Sequence, residues 1–508
     1  MSKTLPEKRL SKSRILSGLQ CEKRLWLELH QPKLAVVSAQ AELRFAVGNE
    51  VGEVAQSLHP GGHLIGFDDG IVGALVETER VMRESPRATL FEATFEHQGV
   101  VVRVDVLAPG ARGFRLIEVK SSTSVKQPHY PDCAVQSWVL EGCGLAVAQV
   151  ELAHIDNRFV YRGDGDYRGL LHYEDLSRAV AEIKQEVPEW VRGFNAVMNG
   201  EQPDIETGAH CTTPYDCPFI EHCAGPSADY PVDCLPYGRG VAQALHDEGV
   251  HDIRDIPHGR LHNDQHEWIR RVTINGESEL RPAASEFLRD LSYPRCYLDF
   301  ETIALAVPIW RGARPYQTLP FQWSCHVESR AGEIVHREFL AAADTEVTPM
   351  RAFIESLLTA VGDAGPIFVY SAFESRCLRD LAERFDDLAD DIDAVIERLV
   401  DLLPLTRAHY YHPDMRGSWS LKNVLPTIAA MDYSDLGEVQ GGEAAGAAYR
   451  EMLRAAADTD TDAKRARTLT RDLLAYCKRD TEALVALAHF LSSGKRIDCT
   501  KSGMKNPK

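Results

Sequence analysis

Two apolar runs in this chain carry carboxylates where a buried strand ordinarily carries none, and they fall in opposite halves of the sequence. One is VVVRVDVLAP, followed after a short turn by FRLIEVK; the other is RCYLDFET at 295–302. Side chains two apart on a strand share a face, so Glu118 and Lys120 face one way, as do Asp299 and Glu301. Burying such a face is costly unless a cation sits between the acids. A chain of 508 residues also exceeds one compact domain, at roughly 150 residues each. The pattern predicts at least two α/β domains.

Composition narrows the function classes. The 56 Lys+Arg against 75 Asp+Glu leave a net charge of −19, which excludes coating nucleic acid by bulk charge but not an enzyme with a local basic groove. Hydrophobic residues at 44% and charged residues at 26% exclude wholesale disorder. No stretch approaches the roughly 20 apolar residues of a membrane span. The basic N-terminus MSKTLPEKRLSKSR is followed by no apolar signal core. The expectation is a cytoplasmic chain with no membrane partner. Twelve cysteines in a reducing compartment point to metal or cluster ligation, or to packing thiols, before disulfides.

Along the chain, residues 41–58 have helix-like apolar spacing, 88–95 and 98–108 read as strands, and 129–142 as a helix. The strand AVAQVELAHI follows, then a helical stretch at 175–199 and a Cys- and Pro-rich loop over 208–235. Residues 236–290 are polar, His-rich and helical in pattern. A second α/β pattern starts at 295, continues through PIFVYS and closes on the helix LTRDLLAYCKRDTEALVALAHFL. The predicted division is a domain over 1–230, a helical linker over 231–290, a second domain over 291–495 and a tail over 496–508.

Asp105 ends one strand of a tight pair and Glu118 and Lys120 lie on the next. Two carboxylates suit Mg²⁺ or Mn²⁺, hard cations preferring oxygen, and a lysine beside them can position and help deprotonate an attacking water. These residues resemble the PD-(D/E)XK nucleases, with Asp105 and Glu118-Val119-Lys120 in the motif positions. Gln136 falls on the next helix where RecB-like members carry a Gln; four residues on, those members have Tyr and this chain has Leu140. Many also place a metal-ligating His on an early helix. The corresponding stretch here, from Gly48 to Glu53, has none, so Glu53 or Glu50 would substitute.

Cys211, Cys217 and Cys223 recur at six-residue intervals, with Cys21 far upstream. Thiolates suit Zn²⁺ and iron–sulfur clusters, and zinc competes here because His210 and His222 are adjacent. The arrangement resembles the iron–sulfur branch of RecB-like nucleases, which implies a [4Fe–4S] cluster on Cys21, Cys211, Cys217 and Cys223. The other cysteines, such as Cys133 and Cys377, read as packing thiols.

In the second half, Tyr476 and Asp480 are four apart on a helix and share a face. With Asp299, Glu301 and Glu374 they give carboxylates converging from separate elements, as a two-metal phosphodiester site requires. The segments resemble the DEDD exonucleases, the DnaQ-like branch of the RNase H fold, in the tyrosine subtype. Relatives usually carry Asp where this chain has Glu374. Asp401 is a weaker auxiliary acid. Arg311, Arg314, Tyr316, Phe321 and Trp323 interleave as a single-stranded nucleic acid would want, or lead into a buried strand. Lys422 reads as a phosphate contact or a helix cap.

Taken whole, the chain resembles a bacterial two-domain family joining a RecB-like nuclease with a cysteine cluster to a DnaQ-like domain of unassigned function. The resemblance implies a metal-dependent DNA nuclease with two active sites, acting on single-stranded DNA or DNA ends, 3′→5′ in the second domain. A helicase or repair partner is implied too. A nucleic-acid-binding scaffold with one or both sites inactive, and an RNA exonuclease, remain open.

Overall fold

The computed structural model describes residues 9–224, 228–342, 344, 348–455 and 460–496. The tail expected over 496–508 lies outside them beyond Arg496. The chain is mixed α/β and divides into two compact units, Met1–Pro226 with Leu305–Tyr316, and Ser227–Ala304 with Gln317–Lys508. The segment 231–290, expected as a linker, falls within the second unit. Trp268 is the reason: it is buried and packs against Tyr411 and Trp419, with ring centroids 6.0 and 6.4 Å away. Among the described residues no helix is long and apolar enough to cross a membrane.

The first unit is a seven-stranded sheet covered on both faces. Its strands are β1 (Leu10–Ser11), β2 (His63–Leu64), β3 (Leu90–His97), β4 (Val100–Pro109), β5 (Phe114–Lys120), β6 (Val147–Ile155) and β7 (Leu171–Asp175). The order is β2-β3-β4-β5-β6-β7, with β1 pairing β4 in parallel beside its first residues. The β4–β5 pair is antiparallel, and β5–β6 is parallel through the helix His129–Gly142. Val102, Val104 and Leu116 pack with that helix and with Lys12–Gln20, whereas Val106 and Ile117 face the helix Ala39–Ser57. Alternation along β4 slips at one place. Val104 and Leu107 share a core although they are three apart, and Glu92 of β3, opposite Asp105, takes φ +56°. Irregularities of this kind re-aim a side chain; here the residue at the slip is Asp105.

The second unit opens with β8 (Glu279–Leu280) and then β9 (Arg295–Ile303), β10 (Leu319–Glu328), β11 (Ile334–Leu340), β12 (Ile367–Val369), β13 (Leu399–Asp401) and β14 (Tyr410–Tyr411). Five of these form a sheet in the order β11-β10-β9-β12-β13, and β14 pairs with β8 separately. Antiparallel pairs join β11, β10 and β9; parallel pairs join β9, β12 and β13. The acid-bearing β9 is therefore central. The long helix Asp460–Ser493 packs on β9 and β10 with a run of buried apolar residues from Ala483 to Leu491. Phe321 and Trp323 are buried in β10, Phe321 stacked on Tyr449 at 4.0 Å, so they serve packing and not an exposed loop.

The turn into β12 depends on Gly365. Its φ is +81°, and a Cβ there would lie 1.8 Å from the Pro294 carbonyl oxygen. Arg398 straps the same turn, donating to the carbonyls of Ala364 at 2.7 Å and Gly365 at 2.8 Å. Gly365→Ala is expected to destabilise the protein by about 1–3 kcal/mol, the usual size of enforced backbone strain, as read by urea unfolding of the full chain.

Candidate metal centres

In the first unit the β4–β5 ladder runs from Pro109↔Phe114 to Val106↔Ile117. The next pair in this register is Asp105 opposite Glu118. In place of a ladder bond, the Val119 N–H donates to Asp105 Oδ2 at 2.7 Å. Lys120 Nζ donates to Glu118 Oε1 at 2.5 Å and to Asp132 Oδ2 at 2.8 Å. Asp132 and Gln136 are four apart on the helix His129–Gly142 and so reach the same side. Gln136 Nε2 donates to Glu118 Oε2 at 2.6 Å and Asp132 Oδ1 at 3.1 Å, while its buried Oε1 has no hydrogen-bond partner. Leu140, one turn on, is buried in the core.

A second lysine joins this group from far upstream. Lys12 follows β1, whose pairing with Val100 and Val101 fixes its place. Its Nζ lies 2.9 Å from Glu118 Oε1 and 3.0 Å from Asp132 Oδ1. Burial alone would raise the Glu118 carboxyl, but Lys12 and Lys120, with the bonds from Lys120 and Gln136, hold it well below the ordinary range. Burial, then the Glu118 charge, pushes Asp105 up to about 7. Asp105 and Glu118 can present oxygens to a hard divalent cation, and the partnerless Gln136 oxygen fits a further polar ligand there. Glu53 does not join this hydrogen-bonded group. It is exposed on the helix Ala39–Ser57, whose Val51, Val54 and Ala55 are the buried residues. Glu50, half-buried on that helix, lies near enough to Tyr167 to bear on its hydroxyl.

The four predicted cysteines line one cavity, together with Lys23, Arg24 and His210; His222 is not among its lining residues. Cys21 sits at the junction of the helices Lys12–Gln20 and Glu22–His30. Cys211 closes the turn Ala209–Cys211, the Cys217 N–H donates to the Cys211 carbonyl at 2.8 Å, and Cys223 lies on the helix Ile220–Ala224. Gln20 holds the loop by donating to the carbonyls of His210 at 2.7 Å and Tyr215 at 2.6 Å. Burial raises the Cys217 thiol, with Arg24 opposing and the neighbouring Cys211 and Cys21 reinforcing. Cys133 and Cys377 are buried elsewhere.

In the second unit, the side chains of Asp299 and Glu301 on β9 meet the helix Asp460–Ser493. One ligand atom each from Asp299, Glu301 and Cys477 lies within 4.8 Å of the others, the group of three so gathered among the described residues. Glu374 is buried in the first turn of the helix Phe373–Arg384, and its Oε2 has no partner. Tyr433 Oη donates to Asp480 Oδ1 at 2.5 Å, and Tyr476 bonds to Asp480 as well. Lys422 Nζ lies over the rings of Tyr433 and Tyr476, 5.5 and 5.6 Å from their centroids, and bonds to the Gln440 carbonyl. Burial, then Asp480, Glu301 and Glu374, drives Asp299 well above the carboxylate range. Burial, then Asp480, does the same to Glu301. Glu374 is pushed up to about 7 by burial and then Asp401. Burial raises Asp480 to about 6 against the bonds from both tyrosines. Asp401 itself caps the following helix, accepting from Leu403 N–H at 2.9 Å.

Four carboxylates with one nearby ammonium are a strong demand for cations, and buried unpartnered Glu374 Oε2 fits a metal ligand. Lys12, Asp132, Tyr433 and Cys477 were not among the residues singled out from sequence. Cys477 alone carried a local signal, between Tyr476 and Asp480.

A family model described as a domain of unknown function (DUF2779) matches residues 296–420, a span holding Asp299, Glu301 and Glu374 but not Tyr476 or Asp480. No curated protein matches the chain. A solved structure titled "Crystal structure of SSO0001" is 14% identical, with a TM-score of 0.23, over 44% of this chain and 89% of that one.

Two outcomes follow from the charges. Lys12→Met leaves Glu118 and Asp132 short of one ammonium, and is expected to lower metal-free stability by on the order of 3 kcal/mol; saturating Mn²⁺ should shrink that loss in thermal melts. In the second unit, a carboxyl whose folded pKa is raised contributes stability below its unfolded value, about 4, and loses it as pH rises through the folded value. For Asp480 the window therefore runs from about 4 to about 6. Metal-free Asp480→Asn should accordingly gain on wild type by on the order of 2 kcal/mol between pH 4 and pH 8. Denaturant titrations at the two pH values check this, and saturating Mn²⁺ should reverse the gain.

Proposed function

We propose that this protein is a metal-dependent nuclease with two active sites, exonucleolytic on single-stranded DNA ends. The observation that carries the reading is the second-unit cluster, where Asp299, Glu301, Glu374 and Asp480 come together from a central strand and two helices. That supports a DnaQ-like, RNase H-type domain of 3′→5′ polarity. Bound divalent cations would activate water and stabilise the leaving oxygen. Asp299, Glu301, Glu374 and Asp480 would hold them. Tyr476, bonded to Asp480, would orient the attacking water, and Tyr433 would fix Asp480 through its own hydrogen bond.

The first unit supports a PD-(D/E)XK reading through Asp105, Glu118, Lys120 and Gln136, joined on one hydrogen-bonded group. Lys120 would hold the nucleophilic water there. The shared cavity of Cys21, Cys211, Cys217 and Cys223 supports a structural cluster site. Those four thiolates would hold a [4Fe–4S] cluster, with zinc as the alternative. DNA repair or defence against foreign DNA is the setting such chemistry would serve.

A second reading has its own observation. The Lys12 ammonium sits on Glu118 and Asp132, where a cation would otherwise be drawn. That favours a first unit that binds nucleic acid without cleaving it.

The deciding experiment digests 5′- and 3′-labelled single-stranded DNA and RNA with Mg²⁺ or Mn²⁺. Wild type, Asp105→Ala, Asp480→Ala and the double variant are purified anaerobically. Two active sites predict that each single change removes a distinct ladder and that the double variant is inert. If only Asp480→Ala has an effect, the first unit is the scaffold. If wild type leaves every end intact on both sugars, the nuclease reading fails. The same preparation should be brown, with about four irons per chain, and Cys217→Ser should lose both colour and iron.

A further inference from the structure

Cys477 is fully buried, one residue after Tyr476 and three before Asp480 on the helix Asp460–Ser493. Residues three apart lie on one helix face, so the thiol and Asp480 reach β9 side by side. The Cys477 Sγ lies 3.6 Å from Asp299 Oδ2 and 3.7 Å from the Asp299 carbonyl oxygen. It is one of the three potential ligand atoms, with Asp299 and Glu301, that lie within 4.8 Å of one another. A second observation points to a ligand at the same place. Glu374 is 4% exposed, its Oε2 has no partner, and its charge bears directly on both Asp299 and Glu301. A buried carboxylate oxygen left without a donor in a group of acids wants a cation. The Cys477 sulfur stands inside that group.

Resting on the metal-centre reading of the second unit, we propose that Cys477 is a thiolate ligand of the cation held by Asp299 and Glu301, so that this site prefers a borderline transition ion over Mg²⁺. Mg²⁺ demands near-octahedral oxygen ligation at short distance and gains nothing from sulfur. Co²⁺ and Zn²⁺ accept mixed oxygen and sulfur donors, and a coordinated thiol gives up its proton to solvent on binding. The sulfur thus sets the site's selectivity between cations that carboxylates alone would hold similarly.

The test reads metal binding on the full chain, with the four-cysteine cage filled by anaerobic purification. One equivalent of Co²⁺ should give a near-ultraviolet thiolate-to-Co²⁺ charge-transfer band in wild type. The band should be absent from Cys477→Ser and Cys477→Ala. In calorimetry both variants should bind Co²⁺ at least about tenfold more weakly, since even outer-sphere partners are worth about 10–100-fold. Their Mg²⁺ affinity should move by less than about twofold, because Mg²⁺ takes oxygen ligands. Should the variants fail to fold, the wild-type band and its loss in Asp299→Asn decide the matter. Co²⁺ bound in an Asp299-dependent way without the band overturns the thiolate assignment and leaves the metal centre standing. Co²⁺ binding that Asp299→Asn does not alter overturns both. A band that survives in both Cys477 variants, or Co²⁺ and Mg²⁺ affinities that fall together, overturns the assignment.

Discussion

The second unit is organised around the mutual repulsion of four buried acids. Two like charges 4 Å apart interact by about 4 kcal/mol at an effective dielectric constant of 20, and Asp299 feels Asp480, Glu301 and Glu374 at once. Lys422 bears on both Glu301 and Asp480 but is held back over two tyrosine rings, and Arg479 bears on Asp480 as well. The surrounding elements take the strain: β9 is central in its sheet, and the long helix is anchored by an apolar stretch beyond Asp480. That rigidity keeps the carboxyl groups from moving apart, so burial and their mutual repulsion raise their pKa values instead.

The first unit meets the same problem by another route. Its three acids, Asp105, Glu118 and Asp132, face two lysines, and Glu118 stays ionised because both ammoniums touch it. Charge there is nearly balanced within the chain. A cation entering between Asp105 and Glu118 must compete with Lys12, whereas one entering the second unit relieves repulsion. The two centres should therefore differ in metal affinity even though both present paired carboxylates. The physical difference lies in Lys12, the first residue of the helix Lys12–Gln20, placed by the two-residue strand β1 before it.

Much of this was legible in sequence, and the unread part has a common cause. Acids on apolar strands are visible because they break a hydrophobic pattern of period two, which is why Glu118, Asp299 and Glu301 stood out. Tyr476 and Asp480 were visible through helical spacing. Lys12 and Tyr433 carry no such mark. Each reaches its site across a long sequence separation, through strand pairing in one case and a loop in the other, and a lone Lys or Tyr in a polar stretch is ordinary. Glu53 is exposed on its helix, because the buried face of Ala39–Ser57 belongs to Val51, Val54 and Ala55. The linker expected over 231–290 looked polar because its apolar anchors are few and large; Trp268 does the work that a run of small aliphatics would announce. The slip of alternation at Asp105 depends on Glu92 across the ladder, which no single strand reveals.

The cysteine cage raises a different question, namely what holds residues 201–224. This stretch contributes no strand to the sheet, and the apolar cluster around it consists of Leu27, Cys211, Cys217 and Phe219, separate from the main core. Two of those four buried residues are themselves thiols. Its hydrogen bonds to the rest of the unit include those from Gln20 to the carbonyls of His210 and Tyr215, from Lys23 to that of Ile205 and from the Val36 N–H to that of Pro218. Cys21 lies on helices that are firmly part of the main core through Ile15 and Leu25. A group bound by all four sulfurs would therefore join a weakly packed segment to a strongly packed one, closing a loop of roughly 200 residues whose entropy grows only with the logarithm of its length. Because the sheet core does not pass through the cage, emptying it should loosen this segment locally and leave the hydrogen-bonded group at Glu118 largely in place. The helix Lys12–Gln20 links the two: it carries Lys12 at its first residue and ends against Cys21.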